Sequence, residues 1–89
     1  MSERRIWVDP VDGSIVYVAL GGRGVWKTTD AGLSWEQIYK PAPGENVLRV
    51  WGHPNNSKYL IIADAHAGTS ILKASDDGGE TWVDKRGDL

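Results

Sequence analysis

An octapeptide that occurs twice constrains the fold of this chain more than any other feature. Residues 28–35 read TTDAGLSW and residues 75–82 read SDDGGETW, so both follow the pattern Ser/Thr-x-Asp-x-Gly-x-Ser/Thr-Trp. The aspartates, the glycines and the tryptophans of the two copies are each 47 residues apart. Two matches in register within 89 residues indicate an internal repeat, which decides the architecture of a chain.

Each octapeptide has the composition of a hairpin turn. An Asp side chain accepts hydrogen bonds from N–H groups of its own turn, and Gly adopts positive φ without strain. The hydroxyls join the two strand ends, and the Trp ring covers the turn and needs a partner for its N–H when buried. We assign structural roles to Thr28, Asp30, Gly32, Ser34, Trp35, Ser75, Asp77, Gly79, Thr81 and Trp82.

The two octapeptides resemble the Asp-box, also called the BNR repeat, of β-propellers. Asp-boxes lie on the hairpin between the third and fourth strands of blades in sialidase-type, xyloglucanase-type and sortilin-type propellers. The resemblance implies that the aspartates bond the turn and that the tryptophans pack over it. In these families the box is structural and lies away from the active face, so the resemblance indicates architecture and no particular activity.

Composition excludes several classes of protein. A formal charge of −2 offers no basic surface for nucleic acid or anionic lipid, and no run of about 18 apolar residues is present to span a membrane. The charged start of the chain lacks the apolar segment of a secretory signal, although Asp-box relatives are often secreted, and the compartment stays open. Without Cys there is no disulfide or thiolate metal site, and we expect no metal and no cofactor.

Strand-like runs surround both octapeptides in the same order. In the first half we predict strands at residues 4–8, 15–20, 25–28 and 35–39, which make residues 1–40 one blade. Residues 41–46 form a Pro- and Gly-containing connector. In the second half we predict strands at residues 47–51, 59–63, 69–74 and 82–85, with a turn at 53–57 and a loop at 64–68, and residues 47–89 form the second blade. The first two strands repeat at an offset of 44 residues, and the longer loop accounts for the offset of 47 thereafter.

The predicted fold is all-β, with two four-stranded antiparallel propeller blades in one chain. Propellers close with about four to eight blades, and each blade packs on two neighbours. The two outer faces of this chain therefore need partners, and we expect further copies of the chain to supply them in a head-to-tail ring. A trimer or a tetramer is favoured, and a pentamer also fits the even blade number. The alternative is a fragment of a longer propeller, and the chain is either natural or engineered.

One candidate ligand face follows from propeller topology. The loops after the second and fourth strands share one face, which places Arg23, Asp64 and His66 there together with residues 40–46. Arg binds carboxylate or phosphate, and an Asp–His pair serves as a general base or a metal ligand. The alternative is that all three are solvated loop residues without a ligand.

We considered three classes of function. The first is a structural, self-assembling propeller module without catalytic activity. The second is a carbohydrate- or peptide-binding propeller. The third is a glycoside hydrolase fragment, with Asp64 as the main acid and Glu45 as the second. We rank the enzyme last, because a symmetric ring repeats both acids and does not create the acid and base pair that such enzymes use.

Overall fold

The computed structural model describes residues 5–66 and 68–84 and contains eight β-strands. The first four are β1 (Ile6–Val8), β2 (Val16–Ala19), β3 (Val25–Thr28) and β4 (Glu36–Tyr39). The next four are β5 (Glu45–His53), β6 (Asn56–His66), β7 (Thr69–Ser75) and β8 (Val83–Asp84). They form two four-stranded antiparallel sheets in sequence order, which confirms the all-β prediction and the two-sheet arrangement. We call β1–β4 the first sheet and β5–β8 the second sheet.

The strand registers of the two sheets repeat at the offsets found in the sequence. Trp7 pairs with Tyr17 in the first sheet, and Trp51 pairs with Ile61, 44 residues further on, in the second. Across the next two strands, Val18 pairs with Trp26 as Ile62 pairs with Lys73. Because both members of each pair keep their offset, residues can be matched between the sheets one by one. We call such matched positions repeat-equivalent.

The core lies between the two sheets, where β1 and β2 contact β5. Its buried members are Tyr17, Ala19, Val25, Val47, Val50, Leu60 and Ile62. Side chains alternate between the two faces of a strand, so Val16 and Val18 point away from this core on β2. The same argument places Ile61 and Ala63 on the far side of β6. Each sheet therefore has an inner face in the core and an outer face turned away from it.

Trp7 holds the two sheets together at a glycine. A Cβ atom added to Gly52 on β5 would lie 2.1 Å from Nε1 and 2.5 Å from Cε2 of the Trp7 indole. No side chain larger than hydrogen fits there while the ring keeps its place. The close approach of a ring to a strand backbone is one of the reasons for a glycine inside a strand.

Several expected boundaries differ from the structure. β6 begins at Asn56 after a short turn at residues 54–55 and continues to His66, so the expected turn at 53–57 and loop at 64–68 are mostly strand. β5 begins at Glu45, two residues before the expected start of the strand at Val47. The reason is cross-strand pairing: Glu45 pairs with His66, and His66 pairs with Thr69, so the hairpin continues through polar residues. Arg4 and Lys85, the outermost expected strand residues, lie outside the described residues.

Candidate functional site

The first octapeptide forms a turn that is closed by its own side chains. Asp30 accepts hydrogen bonds from the Ser34 N–H at 2.9 Å, the Ser34 hydroxyl at 2.6 Å and the Thr28 hydroxyl at 2.7 Å. Thr28 Oγ1 accepts the Gly32 N–H at 3.0 Å. These bonds to the charged carboxylate, led by the Ser34 hydroxyl, lower the pKa of Asp30 to about 2. The side chains at both ends of the turn therefore fix its shape.

The second octapeptide repeats this network. Asp77 accepts hydrogen bonds from the Thr81 hydroxyl, the Ser75 hydroxyl and the Thr81 N–H, and Ser75 Oγ accepts the Gly79 N–H at 2.9 Å. The same contacts, the Thr81 hydroxyl first, hold the pKa of Asp77 well below its usual range. Two consecutive residues in each turn have positive φ, namely 78–79 here and 31–32 in the first turn. Ala31 has a φ of 62°, a conformation that L-residues other than glycine seldom adopt.

Trp82, at the end of the second turn, crosses from one sheet to the other. Its indole Nε1 donates a hydrogen bond to the Ile38 carbonyl of β4 at 3.1 Å. Its ring meets the Tyr39 ring edge-on, with centroids 5.6 Å apart. A Cβ on the neighbouring Gly79 would lie 2.5 Å from Ile38 Cδ1, so this turn lies directly against β4. The repeat-equivalent Trp35 is 42 % exposed.

A polar cluster lies between the sheets beside Trp82. The Tyr39 hydroxyl of the first sheet donates to Asp64 Oδ2 at 2.8 Å, and Lys73 Nζ donates to the same hydroxyl at 2.5 Å. Lys73 also lies 3.5 Å from Asp64 Oδ2 and above the Tyr39 ring. Glu45 Oε1 lies 3.4 Å from the hydroxyl and accepts the Ala42 N–H at 2.9 Å. The cluster therefore joins β4 of one sheet to three strands of the other.

The two acids of this cluster have pKa values shifted in opposite directions. Burial raises the pKa of Asp64, which is fully inaccessible to solvent. The hydrogen bond from the Ala42 N–H is the main cause that lowers the pKa of Glu45. Burial, followed by the bond to Asp64, raises the pKa of Tyr39. Asp64 Oδ1 is buried and has no hydrogen-bond partner among residues 5–66 and 68–84. The cluster thus has unequal acids, and the stronger acid is the one nearer the solvent.

The three residues of the expected ligand face lie in different surroundings. Asp64 belongs to strand β6 and is buried between the sheets. The expected loop position of Asp64 is therefore wrong, and so is the alternative of a solvated side chain. His66 ends the same strand, is exposed, and its ring lies near the Gly44 backbone of the connector. Arg23 is exposed, and its carbonyl accepts hydrogen bonds from the Trp26 and Gln37 side chains. Arg23 and His66 are therefore exposed, whereas Asp64 is buried.

One link between the sheets was not anticipated from the sequence. Asp9 is buried, and its Oδ1 accepts the Val11 N–H at 2.8 Å and the Ser57 hydroxyl of the second sheet at 3.1 Å. The repeat-equivalent His53 accepts the Asn55 N–H through Nδ1 at 2.9 Å. Both residues precede a proline, Pro10 or Pro54, which is the signal that could have identified them as turn caps.

The outer face of the first sheet is apolar and open. It carries Ile6, Val8, Val16, Val18, Leu20, Trp26 and Trp35. Ile6, Val8 and Leu20 are 57 %, 50 % and 47 % exposed. A groove of about 550 Å³ runs along this face beside Ile6, Val18 and Leu20. Contiguous exposed apolar surface of this kind marks interaction sites on soluble proteins.

The outer face of the second sheet is also apolar. It carries Trp51, Tyr59, Ile61, Ala63, Leu72 and Val83. These positions are the repeat-equivalents of the inner face of the first sheet; for example, Trp51, Ile61 and Leu72 match Trp7, Tyr17 and Val25. The free face of the second sheet thus corresponds to a face that is packed within the same chain.

Neither a metal site nor a membrane-spanning helix is found in the described residues. Residues 5–66 and 68–84 contain no group of three or more His, Cys, Asp or Glu side chains that could hold a metal ion. In the same part of the chain, no helix has the length and apolar character needed to cross a membrane.

Sheets of this topology, packed face to face, define blades of the β-propeller class. Among solved structures, this chain is similar to the GH74 xyloglucanase from Xanthomonas campestris, a β-propeller, with a TM-score of 0.78 and 21 % sequence identity. The alignment covers 94 % of this chain and 15 % of that enzyme, so the chain spans a small part of its length. The likeness shows the fold alone. No family model matches the sequence, and the search of curated proteins finds no match.

Proposed function

We propose that this chain is a structural β-propeller module of two Asp-box blades that assembles with further copies of itself. In this proposal the two octapeptide turns are Asp-boxes that hold the blade hairpins. The outer face of the first sheet packs on the outer face of the second sheet of the next copy. No residue has a catalytic role.

The observation that carries the proposal is the repeat equivalence of the faces. Within the chain, the inner face of the first sheet, with Trp7, Tyr17 and Val25, packs on Val50, Leu60 and Ile62 of the second. The free face of the second sheet carries the repeat-equivalents of Trp7, Tyr17 and Val25. The free face of the first sheet carries Ile6, Val16 and Val18, which are the repeat-equivalents of Val50, Leu60 and Ile62. Two free surfaces that correspond to the two halves of an existing contact are suited to each other, with one exception: Val8 stands at the position of Gly52, so the Trp51 ring must lie differently from that of Trp7.

Such a contact is head-to-tail, because it joins two different faces. Heterologous contacts of this kind close into a ring when the rotation between copies fits. Two blades per copy give six blades in a trimer, eight in a tetramer and ten in a pentamer. Rings of six or eight blades lie within the usual range for propellers, which favours the trimer and the tetramer.

A structural role also agrees with the state of the two acids that a hydrolase would need. The Asp64 carboxylate is fully buried and accepts a hydrogen bond from the Tyr39 hydroxyl across the sheet interface. Glu45 bonds the backbone of the connector at Ala42. Both side chains therefore hold the two sheets and their connection in place.

Light scattering after size exclusion tests the assembly. We expect a molar mass of three or four times 9.8 kDa for the unaltered chain. Val18→Glu places a charge in the middle of the outer face of the first sheet and should prevent ring formation. Its circular dichroism spectrum should match that of the unaltered chain, because the fold itself is not changed. Val11→Glu is the matched control, since Val11 is exposed in a turn away from that face.

A mixture of two altered chains tests the head-to-tail direction. Ile61→Glu blocks the outer face of the second sheet, and Leu72→Glu serves if that variant does not fold. Each blocked chain alone should be a monomer, whereas an equimolar mixture of Val18→Glu and Ile61→Glu should form a pair of twice 9.8 kDa. An unaltered chain that is monomeric at all concentrations would refute the proposal. A blocked chain that pairs with itself would show a contact between like faces.

A further inference from the structure

Trp82 and Trp35 end the two octapeptide turns in the same way but have different surroundings. Trp82 lies in the junction between the sheets, where its indole bonds the Ile38 carbonyl and touches the Tyr39 ring. Trp35 occupies the repeat-equivalent position at the outer edge of the first sheet, where 42 % of its surface is exposed. Trp82 therefore packs on the fourth strand of a neighbouring sheet, whereas no such strand lies beside Trp35 in the described part of the chain.

The fourth strand that Trp82 clamps has a repeat-equivalent as well. β4 ends the first sheet, and β8 ends the second sheet at an offset of 47 residues. In a head-to-tail pair, the sheet that precedes Trp35 is the second sheet of the neighbouring copy. In that copy the positions equivalent to Ile38 and Tyr39 are Lys85 and Arg86, which lie outside the described residues. The strand β8 just before them carries Val83, 57 % exposed, on the open face.

The turn around Trp35 is already built for this contact. Asp30 and Thr28 hold the turn with the same hydrogen bonds that Asp77 and Ser75 make in the second turn. Gly32 has a φ of 97° and Gly79 a φ of 98°, so the two backbones follow the same path. The turn that carries Trp35 is thus formed before a partner arrives, which reduces the entropy lost on binding.

We propose that Trp35 is an anchor of self-association, whose indole packs beside β8 on the outer face of the second sheet of a second copy and donates its Nε1–H to a backbone carbonyl there. The inference rests on the head-to-tail contact proposed above and names the residue that recognises the partner. An exposed Trp with a polar N–H and a broad apolar ring is the type of residue that most often dominates binding at interfaces.

The pair of blocked chains isolates one junction and gives a clean measurement. The Ile61→Glu chain contributes its first sheet to that junction, so its Trp35 is the one engaged. The Val18→Glu chain contributes its second sheet, and its own Trp35 lies away from the contact. Trp35→Phe keeps an aromatic ring and removes the N–H. The same substitution can therefore be placed in either partner, and the second placement is the matched control.

The dissociation constant of the pair should rise about threefold to tenfold when Trp35→Phe is in the Ile61→Glu chain, as expected for one lost hydrogen bond. It should stay unchanged when Trp35→Phe is in the Val18→Glu chain. Acrylamide quenching should show the tryptophans of the two contacting faces shielded on pairing, namely Trp26, Trp35 and Trp51, and the share due to Trp35 should disappear only when Trp35→Phe is in the Ile61→Glu chain. Leu33→Ala, at an 88 % exposed turn residue, should have no effect.

The outcomes separate the two proposals. If the blocked chains do not bind each other at all, the self-association itself is refuted and the anchor with it. If they bind but Trp35→Phe has no effect, or has an equal effect in both placements, the head-to-tail module stands and the anchor role of Trp35 is wrong.

Discussion

Gly52 offers a sharp test of how the two sheets are joined. An added Cβ would lie 2.1 Å from Nε1, 2.5 Å from Cε2 and 2.7 Å from Cδ1 of Trp7. Van der Waals contact between such atoms needs about 3.5 Å, so the indole must move by more than about 1 Å or leave its place. The backbone φ of Gly52 is not in the left-handed region, so Gly52→Ala should act through this crowding alone.

The expected cost follows from core packing. Inserting a methyl group into a packed site costs about 1–3 kcal/mol, and complete loss of a buried Trp sets an upper limit of about 3–5 kcal/mol. The greater strand propensity of Ala offsets about 0.5–1 kcal/mol of this. A net loss of about 1–2 kcal/mol lowers the melting temperature of a domain of this size by about 4–16 °C. Urea unfolding at one fixed protein concentration measures the free energy of unfolding directly.

Two comparisons decide whether the reasoning is correct. Gly13→Ala is the matched control, because nothing lies within 4 Å of a Cβ at Gly13. If Gly52→Ala and Gly13→Ala differ by less than about 0.5 kcal/mol, the close approach of Trp7 to β5 is wrong. In a Trp7→Ala background the indole is absent, so Gly52→Ala should become neutral or stabilising, with a coupling of about 1–3 kcal/mol.

Two further predictions concern the octapeptide turns. Ser75→Ala should lower the free energy of unfolding by about 1–3 kcal/mol, because the buried Ser75 hydroxyl accepts the Gly79 N–H and donates to Asp77. Ser75→Thr should keep the stability of the unaltered chain, since Thr28 makes the equivalent hydrogen bonds in the first turn. The folded state lowers the pKa values of Asp30 and Asp77, so folding stability depends on pH. The stabilisation by the two charged carboxylates is fully present well above pH 3.8, the ordinary pKa of Asp, and is lost as the pH falls through about 2 and below. Urea midpoints should therefore decline between pH 4 and 2, and an Asp77→Asn variant that declines as steeply as the unaltered chain would contradict this.

The repeat made most of the fold predictable. β3 was predicted at its observed residues, because Gly24 bounds it on one side and the octapeptide on the other. The equal offsets of Pro10 and Pro54, and of Trp7 and Trp51, placed the first two strands of each sheet in the correct order. Local patterns of this kind are visible in sequence because turn residues and apolar alternation act within a few positions.

The polar cluster could not be predicted in the same way. Residues 64–68 have the composition of a loop, yet Asp64 lies on a strand because Val47 and Ile71 pair with it from either side. Its burial depends on Tyr39, which is 25 residues away in the chain and belongs to the other sheet. Neither periodicity nor composition reports a partner at that distance. Glu45 was classed with the connector for the same reason.

The two junctions of the proposed ring are built from different side chains. Within the chain, the junction contains Asp64, Lys73 and Gly52, and their repeat-equivalents on the open face of the first sheet are Leu20, Trp26 and Val8. The open face is therefore the more apolar of the two, which agrees with a surface that is covered by a partner.

The same difference restricts which sheets can pair. Trp7 needs the space above Gly52, and at the equivalent place on the first sheet it would meet the side chain of Val8. In the head-to-tail contact Trp51 would meet Val8 in the same way, so its ring must lie differently from that of Trp7, and this restriction applies to both pairings. In a mismatched pairing of first sheet on first sheet, Asp64 and Lys73 would lose the Tyr39 hydroxyl, and the loss of a partner is costly for a buried charge. The loss of this contact disfavours the pairing of first sheet on first sheet and favours the arrangement in which the chain keeps its own two sheets together.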